Sequence, residues 1–286
     1  MGKAQQLAEA VQARAKLVAD RAQEERRRHE TVDACFEIAD RDGEVGGAIL
    51  AGALAYRLFI WLLPFSLVVV GVLGAVSSAA TESPKAIGKS LGLAGLVSNS
   101  VASASKSTAH WYAILVGVPI LVYETRNLLR ALIASHRLVW GEVRASAPKP
   151  TVLATLKLLG AMLALFAITG LAGWVRARSG GFGLLATIGV ALGYTVLWLL
   201  VLQMLPHRGA RWTALVPGAV AFAVSLEVLQ ILAAYLIGPY ALEKEGTYGA
   251  LGVAAVLLLA LYVIGRVAVG AAAVNATLVD RRTRGG

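Results

Sequence analysis

The residues of this chain that could do chemistry are charged side chains set inside apolar runs. Arg57, Glu124, Arg126, Glu227 and Arg266 stand among aliphatic neighbours, and Arg130, Lys157, Gln203 and Asn275 add polar groups in similar settings. Three arginines against two glutamates leave a formal balance of +1, which Arg130 and Lys157 raise to +3. An anionic guest is therefore favoured over a cation. Arginine suits phosphate and carboxylate because its planar guanidinium can bond two oxygens at once. The same charges have a second reading as interhelical pairs that fix packing. In that reading Arg57 pairs with Glu124 or Glu227 and Arg266 with the other, while Arg130 and Lys157 reach for an interface.

Hydrolytic and metal chemistry find little support in the residue spacing. His29, His110, His136 and His207 are scattered, with no His-x-His pair, no HExxH and no G-x-S-x-G turn, so no ribonuclease or other enzyme activity is expected. Asp40, Asp42 and Glu44 alternate like part of a calcium loop, but the glutamate needed at position 12 falls on Ala51. Gly88-Lys89-Ser90 has the form of a phosphate-loop ending, yet Ser83 stands where its first glycine belongs. The single cysteine, Cys35, allows no internal disulfide. No metal and no cofactor is expected.

The elements that must position the charges are membrane helices. Ala48 to Val76 is a run of 29 residues in which only Arg57 is charged. At about 1.5 Å of rise per residue it crosses a hydrocarbon core of roughly 30 Å. Hydrophobic residues make up 57% of the 286 and charged ones 15%, which excludes an ordinary soluble domain. The pattern predicts an all-α, polytopic fold with spans at 48–76, 111–133, 151–175, 182–205, 212–237 and 247–279. Residues 1–47 form a basic N-terminal segment containing the run EERRRHE, and 280–286 a basic tail. Residues 77–110 read as one or two amphipathic helices on the outer surface, and Arg176 to Gly181 and Pro239 to Gly246 as external turns.

Sixteen lysines and arginines outside the spans fall on the side of the two termini and six on the other. Both termini are therefore expected in the cytoplasm. This asymmetry absorbs most of the net charge of +10, so no specific nucleic-acid partner is implied. In this topology Arg57, Glu124, Arg126, Glu227 and Arg266 lie between the mid-plane and the cytoplasmic end. A charge at mid-bilayer costs from about 2.5 kcal/mol upward, so the expectation is a polar pocket that opens to the cytoplasm. Ala48, Gly52, Gly189, Gly193, Gly270 and Ala271 read as sites of close helix contact.

Several pieces, taken in order, resemble the YihY/BrkB family of bacterial inner-membrane proteins. They are Ala53-Leu54-Ala55-Tyr56 followed by Leu62-Leu63-Pro64-Phe65, Arg137 to Trp140, Arg211-Trp212 with Pro217-Gly218-Ala219, Thr247 to Gly252, and Val274-Asn275-Ala276. The resemblance covers about Phe36 to Val279. It implies six helices in the bacterial plasma membrane, a link to envelope integrity or serum resistance, and a proposed role in lipid or lipopolysaccharide transport. The old label ribonuclease BN, carried by some members, is regarded as a misassignment. This chain departs from the family in three places: Ala273 stands where a glutamate is frequent, and Arg57 and Arg266 where aromatic or small residues are expected.

The combined expectation is a protein that moves or handles an anionic lipid or other anionic envelope component. Its partners are then membrane lipids with anionic headgroups and an envelope-assembly protein. Two alternatives stay open. One is a non-transporting scaffold that binds lipid or a partner through its basic N-terminus, and the other a small-anion channel. The sequence does not give an oligomeric state.

Overall fold

The computed structural model describes residues 14, 16, 23–79, 109–142, 149–178, 183–232 and 238–284, and all regular structure among them is helical. The elements are α1 (Glu30–Glu44), α2 (Gly47–Ala79), α3 (Ala109–Val139), α4 (Val152–Arg178), α5 (Gly183–Met204), a 3-10 turn at Trp212–Leu215, α6 (Val216–Leu232) and α7 (Gly238–Arg284). Six of them contain stretches long and apolar enough to cross a membrane: Gly47–Ala75, Trp111–Val139, Val152–Leu171, Thr187–Met204, Trp212–Gln230 and Ala254–Arg284. The amphipathic helices expected at 77–110 lie largely outside the described residues, as does most of the stretch before Gln23.

Two boundaries differ from the sequence expectation. The stretch Pro239 to Gly246, read as an external turn, belongs to the first turns of α7. Proline at the second position of a helix needs no N–H, and Leu242-Glu243-Lys244-Glu245 are good helix formers, so nothing local stops the helix there. The second span also continues to Val139, past the expected end at Ile133. Leu132, Ile133, Ser135, His136, Val139 and Trp140 are all buried, so tertiary packing carries the helix onward.

The six long helices form a ring. Each packs on its neighbour in sequence, and α7 returns to pack on α2 and also touches α3. The most extensive contact is α2 on α3 and the sparsest seam between consecutive spans is α3 on α4. Glycines set two of the approaches. A Cβ on Gly265 would lie 2.6 Å from the Ala51 carbonyl oxygen, and one on Gly117 would lie 2.8 Å from a Val68 methyl. Gly52, Gly189 and Gly270, expected at tight contacts, have nothing within 4 Å of a Cβ position. Small side chains in apolar helices do not by themselves reveal which face meets a neighbour.

Polar side chains also tie helices together inside the ring. Trp61 Nε1 donates to Thr125 Oγ1 at 2.8 Å, and Thr125 in turn donates to the Leu121 carbonyl at 2.7 Å. Tyr194, only 1% exposed, hydrogen-bonds Thr169 at 2.7 Å and accepts from Gln230, linking α4, α5 and α6. The rings of Trp198 and Phe222 stack with centroids 3.7 Å apart. Such bonds matter in a bilayer because lipid offers no competing partner.

Candidate functional site

The five charges expected to share a pocket do not gather in one. Arg57 and Arg126 are exposed on the outside of the bundle, Arg57 with its guanidinium 6.0 Å from the Tyr56 ring centroid. Glu124 is half-buried and accepts a long hydrogen bond from Asn127 at 3.5 Å, one turn further along α3. Glu227 is buried in α6 at 6% exposure. Arg266 turns toward α1, where Nη1 and Nη2 donate to the two Asp42 oxygens at 3.1 and 2.8 Å. Of the supporting residues, Arg130, Lys157 and Gln203 are exposed. None of these eight lines either of the two cavities described below. The placement of the cations has a simple cause: a long cationic side chain can leave the bundle and reach an interface, so charge inside an apolar run does not require an inward face.

Asn275 has a structural duty. Its Oδ1 accepts from the Gly218 N–H at 2.7 Å and its Nδ2 donates to the Leu215 carbonyl at 3.1 Å. It thus satisfies one of the free N–H groups in the first turn of α6 and fastens the 3-10 turn before it. Gly218 allows the approach, since a Cβ there would overlap the Ala271 carbonyl and the Asn275 amide. Ala273 is fully buried at 0% exposure.

The ring encloses an apolar cavity of about 320 Å³. Each span contributes to its wall: Leu58 and Trp61 from α2, Leu128 and Leu132 from α3, Leu158 and Met162 from α4, Trp198 from α5, Phe222 and Leu226 from α6, and Leu261 and Ala268 from α7. The wall is entirely hydrocarbon and aromatic. An all-hydrocarbon wall offers water no hydrogen-bond partner, so the space suits an apolar occupant. Sequence reading passed over this site because apolar side chains on six separate helices carry no signal of a shared void.

At the end of the bundle where α1 meets the last turns of α7, the two helices are joined by an acid–base clasp. Arg41 pairs with Asp280, and Arg281 donates to Asp33 at 2.7 Å and to Glu37 at 3.1 Å. Arg26 donates to Asp33 at 2.7 Å from the other side. The hydrogen bond from Arg26, and next that from Arg281, hold the Asp33 carboxyl below its ordinary value. A second cavity, of about 230 Å³ and polar, lies within this clasp. Among the described residues no group of three His, Cys, Asp or Glu side chains is arranged to hold a metal ion.

Residues 40–286 match the family described as Virulence factor BrkB. No curated protein and no solved structure matches the chain. The match takes in all six spans, the charged end of α1 from Asp40 onward, and every residue that lines the apolar cavity. With six apolar helices closed into a ring and a family match over nearly its whole length, the chain belongs to the YihY/BrkB family of multi-pass membrane proteins.

Proposed function

We propose that this protein handles an anionic membrane lipid, holding an acyl chain in the apolar ring cavity while the headgroup stays at the basic outer surface. The observation that carries the reading is the cavity itself, a wholly apolar space bordered by all six spans. In a bilayer the abundant molecule of matching chemistry is a hydrocarbon tail. Its route in is the seam between α3 and α4, the most sparsely packed contact between consecutive spans. Arg130 and Lys157, on the two helices that border this seam, are exposed and carry the charge an anionic headgroup would meet. Arg57 and Arg126 add to the basic surface on α2 and α3.

A small-anion path has less support. Such a path needs hydrogen-bond donors along its wall, and the ring interior offers hydrocarbon. Fluorescent anionic and zwitterionic lipids reconstituted with the protein in liposomes test the lipid reading. Wild type is expected to move the anionic lipid faster, and Ala268→Phe, which fills the cavity, is expected to stop movement while the protein stays folded. Equal movement by wild type and Ala268→Phe would remove the cavity from the account.

A further inference from the structure

Three cations stand at graded depth on the outside of α3 and α4. Measured from the end of the bundle where α3 finishes at Val139 and α4 begins at Val152, Lys157 lies about 8 Å along its span, Arg130 about 14 Å and Arg126 about 20 Å, at about 1.5 Å of rise per residue. All three are exposed, and none forms a hydrogen bond or ion pair among the described residues. Arg57 joins them from α2. The Trp61–Thr125 bond and the approach of Gly117 to Val68 set α2 and α3 antiparallel, in a register that brings Arg57 level with Arg130. The nearest carboxylate in sequence, Glu124, is half-buried and bonded to Asn127. Lys157 and Arg130 are close enough to their span ends to reach an interface along their own stems. Arg126 has the furthest to go, because it stands at the middle of the span Trp111–Val139. A charge so placed is favoured only when an anion or water meets it, and in a bilayer an acidic lipid can bring oxygens to that face.

We propose that Lys157, Arg130 and Arg126 form a headgroup track, along which the phosphate of an anionic lipid descends from the membrane surface to mid-span on the outside of the bundle. This track rests on the lipid-handling reading above and adds to it where the headgroup goes. Successive stations differ in depth by about 6 Å, within the reach of a long cationic side chain, so the next can bond a phosphate before the last releases it. Arginine at the two deeper stations holds a phosphate by two parallel bonds and keeps its charge away from water. The row also selects by charge. A phosphatidylglycerol head brings one negative charge and no cation, whereas a choline or ethanolamine head brings a cation that the row repels.

The test places the full chain in nanodiscs that contain a lipid with a diazirine on its headgroup, either phosphatidylglycerol or phosphatidylcholine, and maps the labelled residues after illumination. The glycerol-headed probe is expected to label Leu153 and Leu156 near Lys157 and also Tyr123 near Arg126, all three of which are exposed. The choline-headed probe is expected to label only the first two. Arg126→Gln is expected to lower labelling of Tyr123 at least about tenfold, the factor that one hydrogen bond to a charged group supplies, while Leu153 and Leu156 keep theirs. Arg126→Lys is expected to retain most of it. Head labels that stop at Leu153 and Leu156, equal labelling of Tyr123 by both probes, or labelling of Tyr123 unchanged in Arg126→Gln would overturn the track, and the first result would leave Arg126 to an acidic helix of a partner protein. The acyl-chain reading fails separately: head labels at Tyr123, with an acyl-chain probe absent from the ring cavity, keep the track and remove the cavity.

Discussion

Arg266 of α7 and Asp42 of α1 form a forked pair, two parallel N–H to oxygen bonds between residues 224 positions apart in the chain. The fork locks the end of α1 to the last span just where Gly47 begins the first. A Cβ on Gly47 would overlap both Asp42 and Arg266, so the turn from α1 into α2 is packed against this pair. Arg266→Lys is expected to loosen the joint, because an ammonium cannot reproduce the planar fork. Arg266→Ala is expected to cost about 1.5–3 kcal/mol, the range for bonds between charged groups, which thermal melting of the purified protein would read. An unchanged melting temperature in Arg266→Ala would show that α1 is held elsewhere.

Asn275→Ala removes both the acceptor for Gly218 N–H and the donor to the Leu215 carbonyl. Two buried backbone groups then lack partners, at about 1–3 kcal/mol each. The expected result is a clear fall in melting temperature together with faster amide exchange confined to the 3-10 turn and the start of α6. Asn275→Asp keeps the acceptor and is expected to recover part of the loss.

Placing a glutamate at Ala273 is expected to destabilise this chain. The site is completely buried, and an unpaired carboxylate there costs several kcal/mol unless it takes up a proton. Ala273→Gln, similar in size but uncharged, separates bulk from charge. If both variants melt like wild type, the α7 packing around residue 273 is looser than the structure has it.

The clasp between α1 and α7 has a defined pH response. Asp33 titrates below its ordinary value of about 3.8 because Arg26 and Arg281 bond its ionised form. A carboxyl lowered by folding contributes stability above its unfolded pKa and loses it as the pH falls through the folded one. The clasp is thus expected to hold unchanged from about pH 8 down to about pH 5 and to open only under strongly acid conditions. A spin label on Cys35, exposed on α1, paired with one at Arg282→Cys would follow the separation. Added salt should widen the same distance at neutral pH, since these pairs are only part-buried and therefore partly screened.

Six membrane helices were legible in the sequence because each apolar run is long enough to cross a bilayer on its own. Which way each helix turns its side chains was not. The runs around Arg57 and Glu227 are apolar on all faces, so helical periodicity offers no stripe that marks inside from outside. Arg57 consequently faces out while Glu227 faces in, although both sit in equally apolar surroundings. The partner of Arg266 was hidden for another reason. Asp42 lies in a short lead-in that drew notice only as a failed calcium loop, and no local pattern ties it to a residue near the other end of the chain. Asn275 stood out as a polar residue in a span, but its role depends on Gly218, whose need for a bare Cα appears only when α6 and α7 are placed together.

The most direct test of the central claim is photolabelling with an anionic lipid that carries a diazirine on its acyl chain, followed by peptide mapping of the modified residues. The account predicts labels on the cavity wall, at Leu128 and Leu132 of α3 and Leu158 and Met162 of α4, and their loss in Ala268→Phe. Labels confined to outward residues such as Leu115, Leu153 and Leu163, unaffected by Ala268→Phe, would contradict it.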